Sequence, residues 1–250
     1  MLLLPIHTPL IRAGDDLAKV LRAAADIHPG DLIIVSSKAV ATAEGAAVDL
    51  HALSPSSEAA AWSEKTGRSP AFCEAVLRET KRLRGRIIGF SPMGAILTEV
   101  QPEGLSSGVI LVANAGMDES NVAEGYAIGW PKDPVASANN LRAACGGNPI
   151  LLVDSVCLPR RKGVTAIALV AAGIDAFQSD IGKRDLFQKT MRYTIEARAD
   201  QLAAAAALLM GNAAESMPAV IVRSHDFPLV ESVGWVEGIA PADDLFRDLL

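Results

Sequence analysis

Cysteine is scarce: the 250-residue chain has three, Cys73, Cys145 and Cys157, and no CxxC pair. That excludes a thiolate zinc ribbon and a dithiol redox centre. The odd number and scattered spacing fit reduced thiols in a cytosol. A chain this long buries roughly 70–75% of its unfolded surface, so it needs no disulfide staple. Cys73 falls in a helical pattern and reads as core. Cys157 has no candidate base near it in sequence and does not read as a nucleophile. Excess positive charge is also lacking: 23 Lys and Arg stand against 29 Asp and Glu, a net charge of −6. This argues against a nucleic-acid partner, which requires a basic face. One local exception, Arg160-Arg161-Lys162, is either a solvated loop or an anion contact. The most apolar helical stretch, Leu202–Met210, is far short of the roughly 20 residues a membrane span requires. Met1–Ile11 is apolar but is broken by Pro5, His7 and Pro9 and has neither a basic start nor a small-residue cleavage site. It reads as an edge strand, not a signal peptide.

The common chemical signatures are absent as well. There is no GxxxxGK[ST], GxGxxG or HExxH. The four histidines, His7, His28, His51 and His225, are scattered and make no hydrolase triad. No fixed-period repeat or low-complexity linker occurs.

What remains is an ordinary globular composition, 50% hydrophobic and 21% charged. Length alone allows one large domain or two small ones; residues 1–250 are taken as one unit. Asp15 is expected to cap a helix running to about Asp26 and stopped by Pro29-Gly30. Asp31–Ser36 reads as a buried strand. Ser69-Pro70 opens a second helix, with Phe72, Ala75, Val76, Glu79 and Leu83 on one face and Gly85 closing it. Arg86–Phe90 and Ile96–Val100 read as short strands around a Ser91–Gly94 turn. Gly108–Ala113 and Pro149–Val153 are continuous apolar runs, the pattern of strands covered on both faces. Ser137–Cys145 reads as a helix, Gly163–Gly173 as a strand, Thr194–Met210 as the strongest helix with Gly211 behind it, Ala219–Arg223 as a last strand, and Pro241–Leu250 as a short terminal helix. Helices and strands mix without strict alternation, which favours an α+β class.

Two apolar runs lead into oxygen-bearing side chains. Asn114-Ala115-Gly116-Met117-Asp118-Glu119-Ser120-Asn121 follows Gly108–Ala113, and Asp154-Ser155 follows Pro149–Val153. Two Asp-bearing strand ends suit a shared divalent cation, since hard cations take oxygen ligands. A cation held by few carboxylates usually carries a phosphate, which points to nucleotide chemistry. The structural alternative is a pair of Asx turns, in which Asp and Asn bond their own backbone.

Ordered matches along nearly the whole chain, from Pro9 to about Arg223, go further. They are Pro9-Leu10-Ile11 with Gly14–Leu17; Ser36-Ser37 with Ala43-Glu44-Gly45; Asn114-Ala115-Gly116 with Asp118 and Ser120–Val122; Pro131–Pro134 with Ser137-Ala138; Asp154-Ser155 with Arg161 and Gly163; Asp180 with Gly182–Leu186; and Ala199-Asp200 with Leu209–Gly211, Pro218 and Val222-Arg223. With these the sequence resembles the coenzyme F420-0:L-glutamate ligase family. The resemblance implies an α+β fold of mixed sheets and packed helices in an intertwined homodimer. It implies a cytoplasmic enzyme dependent on GTP and on Mg²⁺ or Mn²⁺. Such an enzyme joins L-glutamate through an amide to the carboxylate of F420-0 or a related acceptor by way of an acyl phosphate. By the same resemblance Asp118, Asp154 and Ser155 hold the metal, and Asp118 and Asp154 carry catalysis. Asn212 occupies a further metal contact. Thr8, Pro9, Leu10, Ile11, Ser37, Asn121, Met210 and Gly211 contact the nucleotide.

The sequence departs from that pattern at several points. Thr42 stands where the family has a lysine, which would be a point charge for phosphate; Lys38 is the nearest substitute, on the same face if the segment is a strand. Cys157-Leu158 replace a Gly-Arg pair, Asn212 a longer Gln or Glu, and Ser224 a glycine. Two alternatives stay open: a homologue that binds nucleotide without turnover, and a ligase with another acceptor.

Overall fold

The computed structural model describes residues 1–248. Aliphatic runs form its centre, a six-stranded sheet in the order β1-β12-β2-β8-β9-β13, built from β1 (Leu2–Ile6), β2 (Leu32–Ser36), β8 (Ile150–Val156), β9 (Thr165–Ile174), β12 (Ala219–Arg223) and β13 (Leu229–Trp235). Only β2 and β8 run parallel, with Ile33 opposite Ile150 and Ser36 opposite Val153; every other neighbour in this sheet is antiparallel. The chain thus combines helices with a mixed sheet, which agrees with the α+β expectation.

Side chains alternate between the two faces of each strand. Ile33, Val35, Ile150, Leu152 and Ile221 enter one buried cluster, shared with α1 (Leu17–Ala24), α4 (Pro70–Arg82) and α5 (Pro134–Ala144). Leu32, Ile34, Leu151, Val153, Val220 and Val222 enter the other, under α6 (Arg198–Met210). The contact face of α6 is Ala199, Leu202, Ala203 and Ala206, spaced as one helical stripe and small enough for the helix to lie close on β9. By the same alternation Asp154 continues the row of Ile150 and Leu152, whereas Ser155 continues that of Leu151 and Val153.

The remaining elements flank this core. They are α2 (Ser37–Ala43), β3 (Val48–Asp49), α3 (Ser57–Thr66), the antiparallel sheet of β4 (Arg86–Phe90), β5 (Ile96–Val100) and β6 (Ile110–Ala113), β7 (Tyr126–Ala127) paired with β3, and a ribbon of β10 (Gln178–Ser179) with β11 (Ile195–Glu196).

Several sequence expectations require correction. Asp16, not Asp15, caps α1, accepting from Lys19 N. Asp15 instead accepts from Arg12 N at 2.7 Å. Residues 37–43 are a helix, so Lys38 and Thr42 share a face through helical spacing, not strand alternation. The short apolar-small run Ser-Lys-Ala-Val-Ala-Thr-Ala carries no period long enough to separate the two. Helix α3 was not anticipated; its signals are Ser56, whose hydroxyl accepts from Ala59 N, and Gly67 in the left-handed cap. The helix foreseen over Thr194–Met210 begins at Arg198, because Ile195–Glu196 pair with β10. Helix α5 starts three residues earlier than expected, with Pro134 at its first turn behind the Asp133 cap. β6 alternates buried and half-buried residues and is not covered on both faces. Asp154 and Ser155 lie inside β8, not beyond its end. Finally, residues 241–248 form turns in place of a helix, and the last two residues of that expectation lie outside the described residues.

Candidate active site

β2 and β8 end side by side because they are parallel, and the crevice beyond the carboxyl ends of such strands is where open sheets place ligands. There a cleft of about 560 Å³ opens. Helix α2 starts directly from β2 and turns Lys38, Ala39 and Thr42 into the cleft wall. Lys38 Nζ donates to Asp118 Oδ2 at 2.5 Å.

Asp118 is delivered by a turn that is held from several sides. After β6, residues 114–116 form one 3-10 turn in which Asn114 (φ +54°), Ala115 (φ +52°) and Gly116 (φ +78°) all take the left-handed conformation. For Ala and Asn this costs on the order of 1 kcal/mol each. Asn114 Oδ1 accepts from Ile96 N at 2.9 Å, and Ala115 N donates to Thr98 Oγ1 at 3.1 Å, so the central strand β5 fixes the strained backbone. Asp118 then bridges to Ile128 through two backbone bonds of 2.8 Å. Its Oδ1 accepts from Glu119 N and Ser120 N at 2.8 and 3.1 Å, the Asx-turn alternative, and its Oδ2 accepts from Ser120 Oγ as well as from Lys38. Partial burial pulls this carboxyl upward, but the Lys38 ammonium and the Ser120 hydroxyl outweigh it and hold the pKa at about 2.

Asp154 is set differently. It sits in β8 at 8% exposure, and its Oδ2 accepts from the Trp130 indole N–H at 2.6 Å. Burial pushes its carboxyl above the ordinary carboxylate range, with Lys38 and the Trp130 bond opposing the rise and the charge of Asp118 adding to it. Here the Asx-turn alternative does not hold. Ser155, on the opposite face, donates from Oγ to Asn212 Oδ1 at 2.9 Å, which joins β8 to the end of α6.

The other walls come from residues far apart in sequence. Thr8, Pro9, Leu10 and Ile11 follow β1; Met210, Gly211 and Asn212 open the loop after α6; and Ser120 and Asn121 complete the Asp118 loop. Thr8 N donates to Ser216 O at 3.0 Å, which clips the first of these segments to the second. The anticipated set therefore converges, with one exception. Ser37 is fully buried behind the wall and its Oγ has no hydrogen-bond partner among the described residues. Sequence reasoning missed Trp130, Ala39 and Val164, and gave no separate role to Ser120 or to Glu215 within the expected nucleotide loop Met210–Met217. Ser120, two residues after an aspartate, carries a local signal. Trp130 carries none, because its bond to Asp154 spans 24 residues. Glu215 accepts from Ala213 N at 2.7 Å and folds its own loop.

The donor set suits a hard divalent cation. Two carboxylates, a hydroxyl and a carboxamide are oxygen donors of the type Mg²⁺ and Mn²⁺ take. No histidine, cysteine or third carboxylate joins them in a metal-holding group among the described residues. The Trp130 indole, the Ser155 backbone and the Lys38 charge do not offset the burial of the Asp154 carboxylate, and a cation would supply what that burial withholds. Asp118 would take part by exchanging its bond to Lys38.

The exposed tip between β8 and β9 carries Arg160, Arg161 and Lys162, none of which has an ion-pair partner among the described residues. Cys157 is exposed there, while Cys73 and Cys145 are buried.

Comparison with known proteins gives an independent result. A family model described as F420-0:Gamma-glutamyl ligase matches residues 5–224. A coenzyme F420:L-glutamate ligase of Methanopyrus kandleri is 37% identical over 246 residues, covering 95% of this chain and 93% of that protein. One of Methanothermobacter thermautotrophicus is 35% identical, covering 96% and 95% respectively. One of Methanocaldococcus jannaschii is 31% identical, covering 97% and 95%. None of the helices described is long and apolar enough to cross a membrane.

Proposed function

The chain belongs to the F420-0:gamma-glutamyl ligase family, a family of ligases, and from that premise we propose that it couples GTP to amide formation between L-glutamate and the carboxylate of F420-0 or a related anionic acceptor. The observation that carries the reading is the meeting of Asp118, Asp154 and Lys38 in one cleft, walled by Thr8–Ile11 and by Met210–Asn212. The acceptor carboxylate attacks the terminal phosphorus of GTP and GDP leaves. The amino group of glutamate, as free amine, attacks the acyl carbon of the resulting acyl phosphate, inorganic phosphate departs, and the amine gives up its proton.

A bound Mg²⁺ or Mn²⁺ supplies charge neutralisation on the phosphates. Asp118 and Asp154 would hold it, and Ser155 and Asn212, bonded to each other on the other face of β8, would offer neutral oxygens from that side. Asp118, with its pKa near 2, stays an acceptor at any working pH. Lys38 provides the cation that Thr42, one turn further along α2, lacks. Thr8–Ile11, Asn121, Met210 and Gly211 enclose the nucleotide, and Ser37, behind the wall, supports α2 instead of touching ligand through its side chain. Arg160, Arg161 and Lys162 face an anionic acceptor. Residues 1–250 act as one unit of a cytoplasmic homodimer. The exposed Leu186, Phe187 and Tyr193 in the loop between β10 and β11 support that assembly, and light scattering gives its mass.

The test is to incubate the protein with GTP, Mn²⁺, L-glutamate and F420-0 or other carboxylate acceptors, and to follow phosphate release and acceptor mass. Acceptor-dependent phosphate release with gain of a glutamyl residue is expected. Tight GTP binding with no turnover on any acceptor would instead support a binding protein, the outcome that Thr42 and Leu158 would then explain.

A further inference from the structure

Trp130 touches both halves of the candidate metal site while lying outside the cleft wall. Its indole N–H donates to Asp154 Oδ2 at 2.6 Å, and the residue is 3% exposed. The same nitrogen end of the ring meets the turn that carries Asp118: a Cβ placed on Gly116 would fall 2.7 Å from Trp130 Nε1 and 2.8 Å from the adjoining ring carbon. Gly116 is thus required twice, by its φ of +78° and by the indole edge against it. The ring cannot slide away, because it packs against Trp235 of β13 with centroids 5.7 Å apart.

We infer that Trp130 is a positioning residue that sets the spacing of Asp118 and Asp154 and orients the Asp154 carboxylate for the cation. The inference rests on the reading of these aspartates as metal ligands. An indole N–H has one fixed direction and no acceptor lone pair, so it holds one oxygen of Asp154 and leaves the other without a side-chain partner among the described residues. The other hydrogen bond to this carboxyl comes from the Ser155 backbone, so Trp130 is the side chain that sets its rotation. The same ring edge stops the Gly116 turn from closing in, so the two ligand-bearing segments share one spacer. Partners of this kind behind metal ligands typically govern affinity by roughly 10–100-fold.

The test uses Mn²⁺ together with guanylyl imidodiphosphate, a non-hydrolysable GTP analogue. Free Mn²⁺ is counted by its paramagnetic resonance signal, with Tm measured in parallel. Trp130→Phe keeps a ring in the packed space and removes the N–H; roughly tenfold or greater loss of Mn²⁺ affinity is expected with a folded protein. Trp130→His, which can retain a ring donor, should fall between wild type and the Phe variant. Gly116→Ala pushes on the indole from the Asp118 side and should weaken Mn²⁺ to a similar degree, and it carries the test if the Phe variant does not fold. Wild-type Mn²⁺ affinity in the folded Phe variant, or in Gly116→Ala where the Phe variant does not fold, overturns the inference and leaves the ligase reading standing. Failure of the wild-type protein to bind Mn²⁺ with the nucleotide analogue overturns both.

Discussion

Asp118 and Asp154 line one cleft but are held by opposite means. Asp118 sits on a loop whose backbone is strained into the left-handed region, is partly exposed, and is surrounded by donors: Lys38, Ser120 and two backbone N–H groups. Asp154 sits inside a central strand, is buried, and has the Trp130 indole as its one side-chain donor among the described residues. The first carboxyl is held down at about 2, and the second is pushed up by burial. A polar nest stabilises an anion in advance, whereas a dry strand leaves charge unmet until a cation arrives.

The largest break in this comparison comes from removing either charge. Asp118→Asn and Asp154→Asn should each lower turnover on the order of a hundredfold or more, yet their stabilities without metal should move in opposite directions. The native Asp154 pKa lies above its unfolded value, so this residue costs stability as pH rises past that value, and Asp154→Asn should raise Tm at neutral pH. The native Asp118 pKa lies below its unfolded value of 3.8. Its contribution is complete above that value and disappears as pH falls to about 2, so Asp118→Asn should lower Tm at pH 7 and match wild type near pH 2. Thermal melts from pH 2 to 7 check both signs; the same sign for the two variants would remove the contrast.

A smaller effect is expected from Lys38→Met. It takes the cation from Asp118 and from the phosphates together, and KM for GTP should rise about tenfold. An unchanged KM would mean that Lys38 serves Asp118 alone. Smaller again is replacement of Arg160, Arg161 and Lys162 by alanine, which should raise the acceptor KM several-fold, less at high salt, with KM for GTP unchanged. Glu74 provides the smallest effect on chemistry. Its carboxylate accepts from Ser56 N and Oγ and from Arg78, and these bonds hold its pKa at about 2. Glu74→Gln should cost roughly 1–3 kcal/mol at pH 7, fading as pH falls from 4.5 towards 2, with turnover of the folded protein unaltered.

The two aspartates also differ in how readily sequence discloses their setting. The apolar run around β8 marks a covered strand, and both aspartates stand out as carboxylates after such runs. What stayed hidden is tertiary. No local pattern pairs Trp130 with Asp154 or Gly116 with the indole edge, because those contacts depend on how separate segments pack. Lys38 was found as a substitute cation, but on a strand that proved to be a helix; seven small and polar residues do not distinguish the two periods. Helix α3 was passed over although Ser56 and Gly67 mark its ends, since its low apolar content gives a weak stripe. The segments carrying Asp118, Thr8–Ile11 and Met210–Asn212 meet at one cleft. Ser37 departs from that expectation because the first turn of α2 points its hydroxyl inward.

The most direct test is to titrate Mn²⁺ into wild type, Asp118→Asn and Asp154→Asn with guanylyl imidodiphosphate present, counting bound ions by paramagnetic resonance. If the strand-borne and loop-borne carboxylates share one ion, wild type binds and each variant loses that ion. Retention of wild-type Mn²⁺ affinity by either folded variant would contradict the account.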